Sequence, residues 1–106
     1  MTLHVPLARL ALHLHDTRGM AVANVLAGLQ YGVATFDSVA GGLGGCPFAP
    51  GASGNLATEE LLYLLDGLGV HTGVSLSAVA AASRSLAAAI DRPLPSRYLR
   101  ATEGRH

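Results

Sequence analysis

Two histidines separated by a single residue, His13 and His15, stand in the run Leu10-Ala-Leu-His-Leu-His15. Successive side chains of a β-strand point to opposite faces, so the two imidazoles share one face and the leucines take the other. Side by side, two neutral imidazoles can clamp a divalent metal ion when further donors arrive from elsewhere; at a strand end they can equally be satisfied by hydrogen bonds. Asn55 offers an amide oxygen that suits either a hard cation such as magnesium or manganese or, as a side-chain cap, the start of the helix behind it. Cys46 is the one cysteine, in Gly44-Gly45-Cys46-Pro47, where glycines let the backbone come close to a ligand. A thiol there is placed for function rather than packing, because a structural free cysteine behaves as a small hydrophobe on a helix or strand face. Asp16, Asp37, Glu59 and Glu60 read as capping or orienting groups, and His4, His71 and His106, which have no partner pattern, as surface residues.

The elements that must hold these residues follow from periodicity. Leu10, Leu12 and Leu14 alternate with Ala11, His13 and His15, which is strand spacing. Asp16-Thr17-Arg18-Gly19 supplies a turn and helix-capping residues, and Met20 to Tyr31 reads as a helix with Met20, Ala23, Ala27 and Tyr31 in one of its small or apolar rows and Gly32 as its stop. Val33 to Val39, β-branched and aromatic, is a second strand; strand, helix, strand at this spacing makes a βαβ unit with parallel strands. Residues 40–55 form a glycine- and proline-rich loop longer than a simple connection needs. From Ala57 to Leu68 runs an amphipathic helix with Leu61, Leu64, Leu65 and Leu68 on one face, Glu59 and Glu60 in the first turn where the dipole favours them, and Gly69 as terminator. Ser77 is placed to cap an alanine-rich helix over 78–90, which Pro93 stops. The polar arginine-bearing segment 91–106 has no sustained period and is expected to fray unless it packs on a partner.

Composition bounds the partners. The chain has 106 residues, half of them apolar and 13% charged, which gives one domain with a core and excludes disorder for most of its length. All seven basic groups are arginines, balanced by seven carboxylates, so no net charge draws the chain to nucleic acid or an anionic membrane. The lone cysteine allows no internal disulfide, no 18-residue apolar run spans a membrane, and the first residues do not have the form of a secretory signal; a cytoplasmic location is the expectation.

Three strings then become recognisable together: His13-Leu14-His15-Asp16-Thr17-Arg18-Gly19, Phe36-Asp37-Ser38, and the long Gly42-Leu43-Gly44-Gly45-Cys46-Pro47-Phe48-Ala49-Pro50-Gly51-Ala52-Ser53-Gly54-Asn55. From about Val5 to Ile90 the chain resembles the 3-hydroxy-3-methylglutaryl-coenzyme A (HMG-CoA) lyase family. The histidine strand and later Gly-Asn are shared with other metal-dependent aldolase-like barrels; the Gly-Gly-Cys-Pro loop distinguishes the lyases. The resemblance implies an α/β fold, a partial (β/α)₈ TIM barrel comprising its last two β/α units plus a C-terminal helix, with residues 1–90 as barrel and 91–106 as a polar tail. It implies that His13, His15 and Asn55 bind a divalent cation, Mg²⁺ or Mn²⁺, at strand C-terminal ends, where such barrels place their chemistry. It also implies that Cys46 is the active-site loop thiol and that His13 helps to move a substrate proton.

By the same resemblance the substrate of the complete enzyme is HMG-CoA, cleaved to acetyl-CoA and acetoacetate. A complete barrel takes about 250 residues, so the early-strand segment bearing the family's metal-binding aspartate and neighbouring arginine has no counterpart here, nor does most of the coenzyme surface. Two strands cannot close a barrel, and the chain by itself is expected to be weakly folded or aggregation-prone and without lyase activity, with a complementing barrel chain or a homo-oligomer as partner. Two other readings stay open: a non-catalytic fragment that pairs with a full-length or split barrel, and a lyase acting on a related acyl-CoA or hydroxy acid.

Overall fold

The computed structural model of the chain describes residues 6–44 and 54–102. Its centre is a βαβ unit: strand β1 (Ala11–His13), helix α1 (Ala21–Gln30) and strand β2 (Thr35–Asp37). The strands pair in parallel, with Ala11 opposite Thr35, Leu12 opposite Phe36 and His13 opposite Asp37. Leu12 and Phe36 are half-buried, whereas Ala11, His13, Thr35 and Asp37 are exposed on the opposite face. The period-two pattern of the sequence thus becomes one apolar face and one face bearing the histidine. Three helices follow: α2 (Thr58–Gly67), α3 (Leu76–Ile90) and α4 (Arg97–Ala101).

Two cores hold these elements. Ala21 and Val25 of α1 meet Leu61 and Leu65 of α2 and Leu56 of the preceding segment, with Leu14, Leu29, Phe36 and Leu64 packed around them. Ala80 of α3, Leu94 and Leu99 form the second, with Leu43, Leu86 and Tyr98 against it. Gly41, at φ 68°, turns the chain after β2 so that its α-carbon faces the Leu94 side chain; a methyl group there would collide with Leu94. No helix among the described residues is long and apolar enough to cross a membrane.

The structure departs from the sequence reading in four places. The row of α1 through Met20, Ala23, Ala27 and Tyr31 faces solvent, with Met20 55% and Tyr31 81% exposed, while Ala21, Val25 and Gly28 are the buried row. On α2, Leu62 replaces Leu68 on the buried side. The cap of α3 is Ser75, whose hydroxyl accepts from the Ala78 amide at 3.2 Å, so the helix begins before Ser77. Residues 92–102 do not fray on their own: Leu94, Ser96 and Leu99 are buried and α4 packs on α2. Periodicity could not reveal this, because a segment anchored by a few apolar and capping residues carries no repeat.

Candidate active site

Asn55 is brought beside the histidine strand by one short segment, 54–57. Coming back from the glycine loop, it adds to the ends of both strands. The Leu56 amide donates to the Leu14 carbonyl (2.9 Å), and the Asp16 amide donates to the Gly54 carbonyl (3.2 Å). His15 and Asn55 are thereby paired across an antiparallel bridge, and Val39 and Ala57 across a parallel one. On the other side the Val39 amide donates to the Leu56 carbonyl (2.9 Å) and the Thr58 amide to the Val39 carbonyl (3.0 Å). Gly54 lies so close to the Gly42 carbonyl that no side chain fits there.

The imidazoles of His13 and His15 are neighbours, with ring centroids 5.2 Å apart and planes inclined at 73°. Asp37, in register with His13, brings its Oδ2 to 3.5 Å from His13 Nδ1. A carboxylate on one ring nitrogen favours the proton there and leaves Nε2 as the free donor, the usual arrangement behind a metal-bound histidine. Asn55 does not cap α2, whose N-cap is Ala57 without a side-chain bond. Its Nδ2 leans on the Leu43 carbonyl at 3.5 Å, while its Oδ1 is buried without a hydrogen-bond partner among the described residues. A buried acceptor left unpaired costs about 1–3 kcal/mol, a cost that a ligand taking its lone pair would offset. Two imidazole nitrogens and an amide oxygen form a mixed donor set suited to a divalent cation. Among the described residues no three histidine, cysteine or carboxylate side chains gather for a metal ion.

The acidic residues take the orienting roles expected of them. Asp16 Oδ1 accepts from the Ala21 amide at 3.1 Å at the start of α1, and its Oδ2 lies 3.7 Å from Arg97 of α4. Glu59, fully buried, accepts the Gly41 amide on both oxygens, at 2.8 and 3.1 Å. Glu60 accepts from the Ser96 hydroxyl (2.5 Å) and the Tyr98 amide (2.8 Å), tying α4 to α2. Between these loops and α4 lies a polar cavity of about 190 Å³ that opens on Asn55 and is lined also by Thr17, Arg97 and Arg100. Arg97 and Ser96 are contacts the sequence reading missed; Ser96 at the start of a short run before Arg97-Tyr-Leu99 was the one available signal, as a capping residue. His71 is exposed, as expected, while Cys46, His4 and His106 lie outside the described residues.

Residues 1–86 match the family model described as HMGL-like. The chain is 55% identical to the mitochondrial hydroxymethylglutaryl-CoA lyase of Homo sapiens over 98 residues, which is 92% of this chain and 30% of that protein. To the hydroxymethylglutaryl-CoA lyase of Pseudomonas mevalonii it is 68% identical over 76 residues, 72% of this chain and 25% of the relative. The crystal structure of hydroxymethylglutaryl-CoA lyase from Pseudomonas aeruginosa superimposes with a TM-score of 0.90 at 48% identity, covering 96% of this chain and 34% of that one. The chain therefore spans about a third or less of the length of the relatives it matches.

Proposed function

Because the chain belongs to the HMGL-like family, we propose that it forms the last two β/α units of a (β/α)₈ barrel and supplies part of an active site that cleaves HMG-CoA to acetyl-CoA and acetoacetate. The observation that supports this proposal is that His13 and His15 lie side by side at one end of the sheet with Asn55 bridged to His15, its Oδ1 buried and without a hydrogen-bond partner among the described residues. In a barrel, that end is where substrates meet catalytic groups. The identity to proteins named as hydroxymethylglutaryl-CoA lyases supports the choice of substrate.

His13, His15 and Asn55 would hold a divalent cation, Mg²⁺ or Mn²⁺; when bound, it supplies Lewis acidity toward the substrate oxygens. The chemistry left to the chain is proton management. Breaking the carbon–carbon bond removes the proton of the tertiary hydroxyl while the bond's electrons flow toward the thioester, leaving acetoacetate and the enolate of acetyl-CoA. His13, with Nδ1 facing Asp37, would help to take the hydroxyl proton in a step in which its Nε2 meets the substrate oxygen instead of the cation. Cys46 then gives its thiol proton to the enolate carbon, so one proton has left oxygen and one has reached carbon and the bookkeeping closes. The glycines next to Cys46 in the sequence let a backbone approach a ligand closely, which suits a group that must meet the enolate away from water.

The test is reconstitution. The 106-residue chain, mixed with a polypeptide supplying the remaining strands of a relative's barrel, is assayed for acetoacetate in Mg²⁺ or Mn²⁺. Turnover is expected from the mixture and none from either part alone. Cys46→Ser is expected to lower kcat at least a hundredfold, the scale of losing a positioned general acid; unchanged turnover in that variant would reject the thiol's role. Assembly without any acetoacetate would favour a pairing function with no catalysis, and turnover of a different acyl-CoA would reassign the substrate.

A further inference from the structure

Resting on the metal-binding role of Asn55 proposed above, we infer that Glu59 is a positioning residue: its buried carboxylate fixes the turn on which the Asn55 amide rests and thereby aims Oδ1 at the cation.

Glu59 is fully buried, and both of its oxygens accept from the Gly41 amide. Burying a carboxylate is costly unless it is hydrogen-bonded. Its place in the first turn of α2 offsets part of that cost, since the helix N-terminus favours negative charge. A cap for α2 alone could be supplied by an exposed serine or aspartate, so stability of the helix does not account for a carboxylate turned inward. What the inward carboxylate does is hold Gly41, the first residue of a run whose next members touch Asn55. The Gly42 amide closes on Val39 (3.0 Å) and the Leu43 amide on Ala40 (3.3 Å), which brings the Leu43 carbonyl under Asn55 Nδ2. Gly44 also borders the amide: a methyl group built on it would stand 2.8 Å from Nδ2. The Asn55 nitrogen is thus seated on the 41–44 turn, which leaves the oxygen as the end without a partner among the described residues. On its far side the same turn accepts the Ser96 amide at the Gly41 carbonyl (2.9 Å), so Glu59 and the α4 segment grip one residue from two directions.

Removing the carboxylate would release Gly41, let the turn relax, and allow the Asn55 amide to rotate or withdraw. Groups that orient a metal ligand typically contribute ten- to a hundredfold to metal affinity. The experiment is a Mn²⁺ titration of the chain assembled with its barrel complement, followed by electron paramagnetic resonance of free Mn²⁺, with a thermal melt of each metal-free variant alongside. Glu59→Ala is expected to weaken Mn²⁺ at least tenfold, as Asn55→Ala does, and Glu59→Gln, which keeps an oxygen for the Gly41 amide, to stay within about threefold of the parent. A merely structural role predicts instead a lowered melting temperature with the affinity of the folded protein unchanged, and that result would overturn the inference. So would a Glu59→Gln variant that folds and loses the metal, because charge rather than the bond to Gly41 would then matter. If Glu59→Ala does not fold, Glu59→Asp decides: its shorter carboxylate draws back from the Gly41 amide while keeping the charge, so weaker Mn²⁺ binding supports the inference and parental affinity overturns it. Parental protein that fails to bind Mn²⁺ at all would instead sink the metal role of the site, a distinct outcome.

Discussion

Asn55 carries a cost in the folded chain that a bound cation would offset. Its Oδ1 is buried without a partner among the described residues, so Asn55→Ala removes an unsatisfied acceptor at the price of one long hydrogen bond from Nδ2. The metal-free variant is expected to melt at the same temperature as the parent or higher, by up to about 1 kcal/mol of stability, while Mn²⁺ affinity falls; a variant that is destabilised and still binds the ion would contradict the assignment. Asp37 gives the complementary case. Its pair with His13 is more than half exposed on both sides, at 54% and 61%, so the pair adds under about 1 kcal/mol to folding. Asp37→Asn should therefore leave the melt unchanged and weaken Mn²⁺ binding by about tenfold through loss of imidazole orientation. Both types of residue were visible in the sequence, but whether Asn55 caps a helix or keeps its oxygen free was not, since the same side chain does either.

At the level of elements, α3 and α4 separate what local chemistry can foretell from what packing decides. Ser75 and Ser77 are both plausible caps by type, and their hydroxyls lie 3.1 Å apart. Only Ser75 accepts from the helix, at the Ala78 amide, so Ser75→Ala is expected to cost about 1 kcal/mol and Ser77→Ala much less, read from the melts of the two variants. The α4 segment has no period to betray it, yet Leu94 is 5% exposed and seated on Gly41. Leu94→Ala is expected to destabilise by about 2–4 kcal/mol, the range for a buried leucine, and to loosen the 41–44 turn with it. An unaltered melt would mean that residues 92–102 do not hold this position in solution.

Across the whole molecule, the histidine-bearing face of the two-stranded sheet is open, as the exposure of Ala11, His13, Thr35 and Asp37 shows. The Cα radius of gyration of 14.7 Å, with extents of 46 × 36 × 19 Å, exceeds the roughly 13 Å of a compact domain near this length; the chain is a slab with helices on one side. Met20, Leu26, Tyr31, Tyr63 and Leu68 add exposed apolar surface. Addition of a barrel complement is expected to raise the melting temperature and reduce binding of an apolar dye, and no change in either would argue against barrel assembly. The sequence by itself determined the βαβ unit, the amphipathic helix α2 and the identity of the chemical groups, because alternation, helical spacing and residue type are local properties. The tertiary structure alone decided that segment 54–57 bridges both strands and sets Asn55 beside His15, that Glu59 turns inward to Gly41, and that α4 crosses to Asp16 and Glu60. Those are contacts between residues far apart along the chain, and their energy depends on burial and on which polar atoms remain unpaired, neither of which has a periodicity that a linear reading can detect.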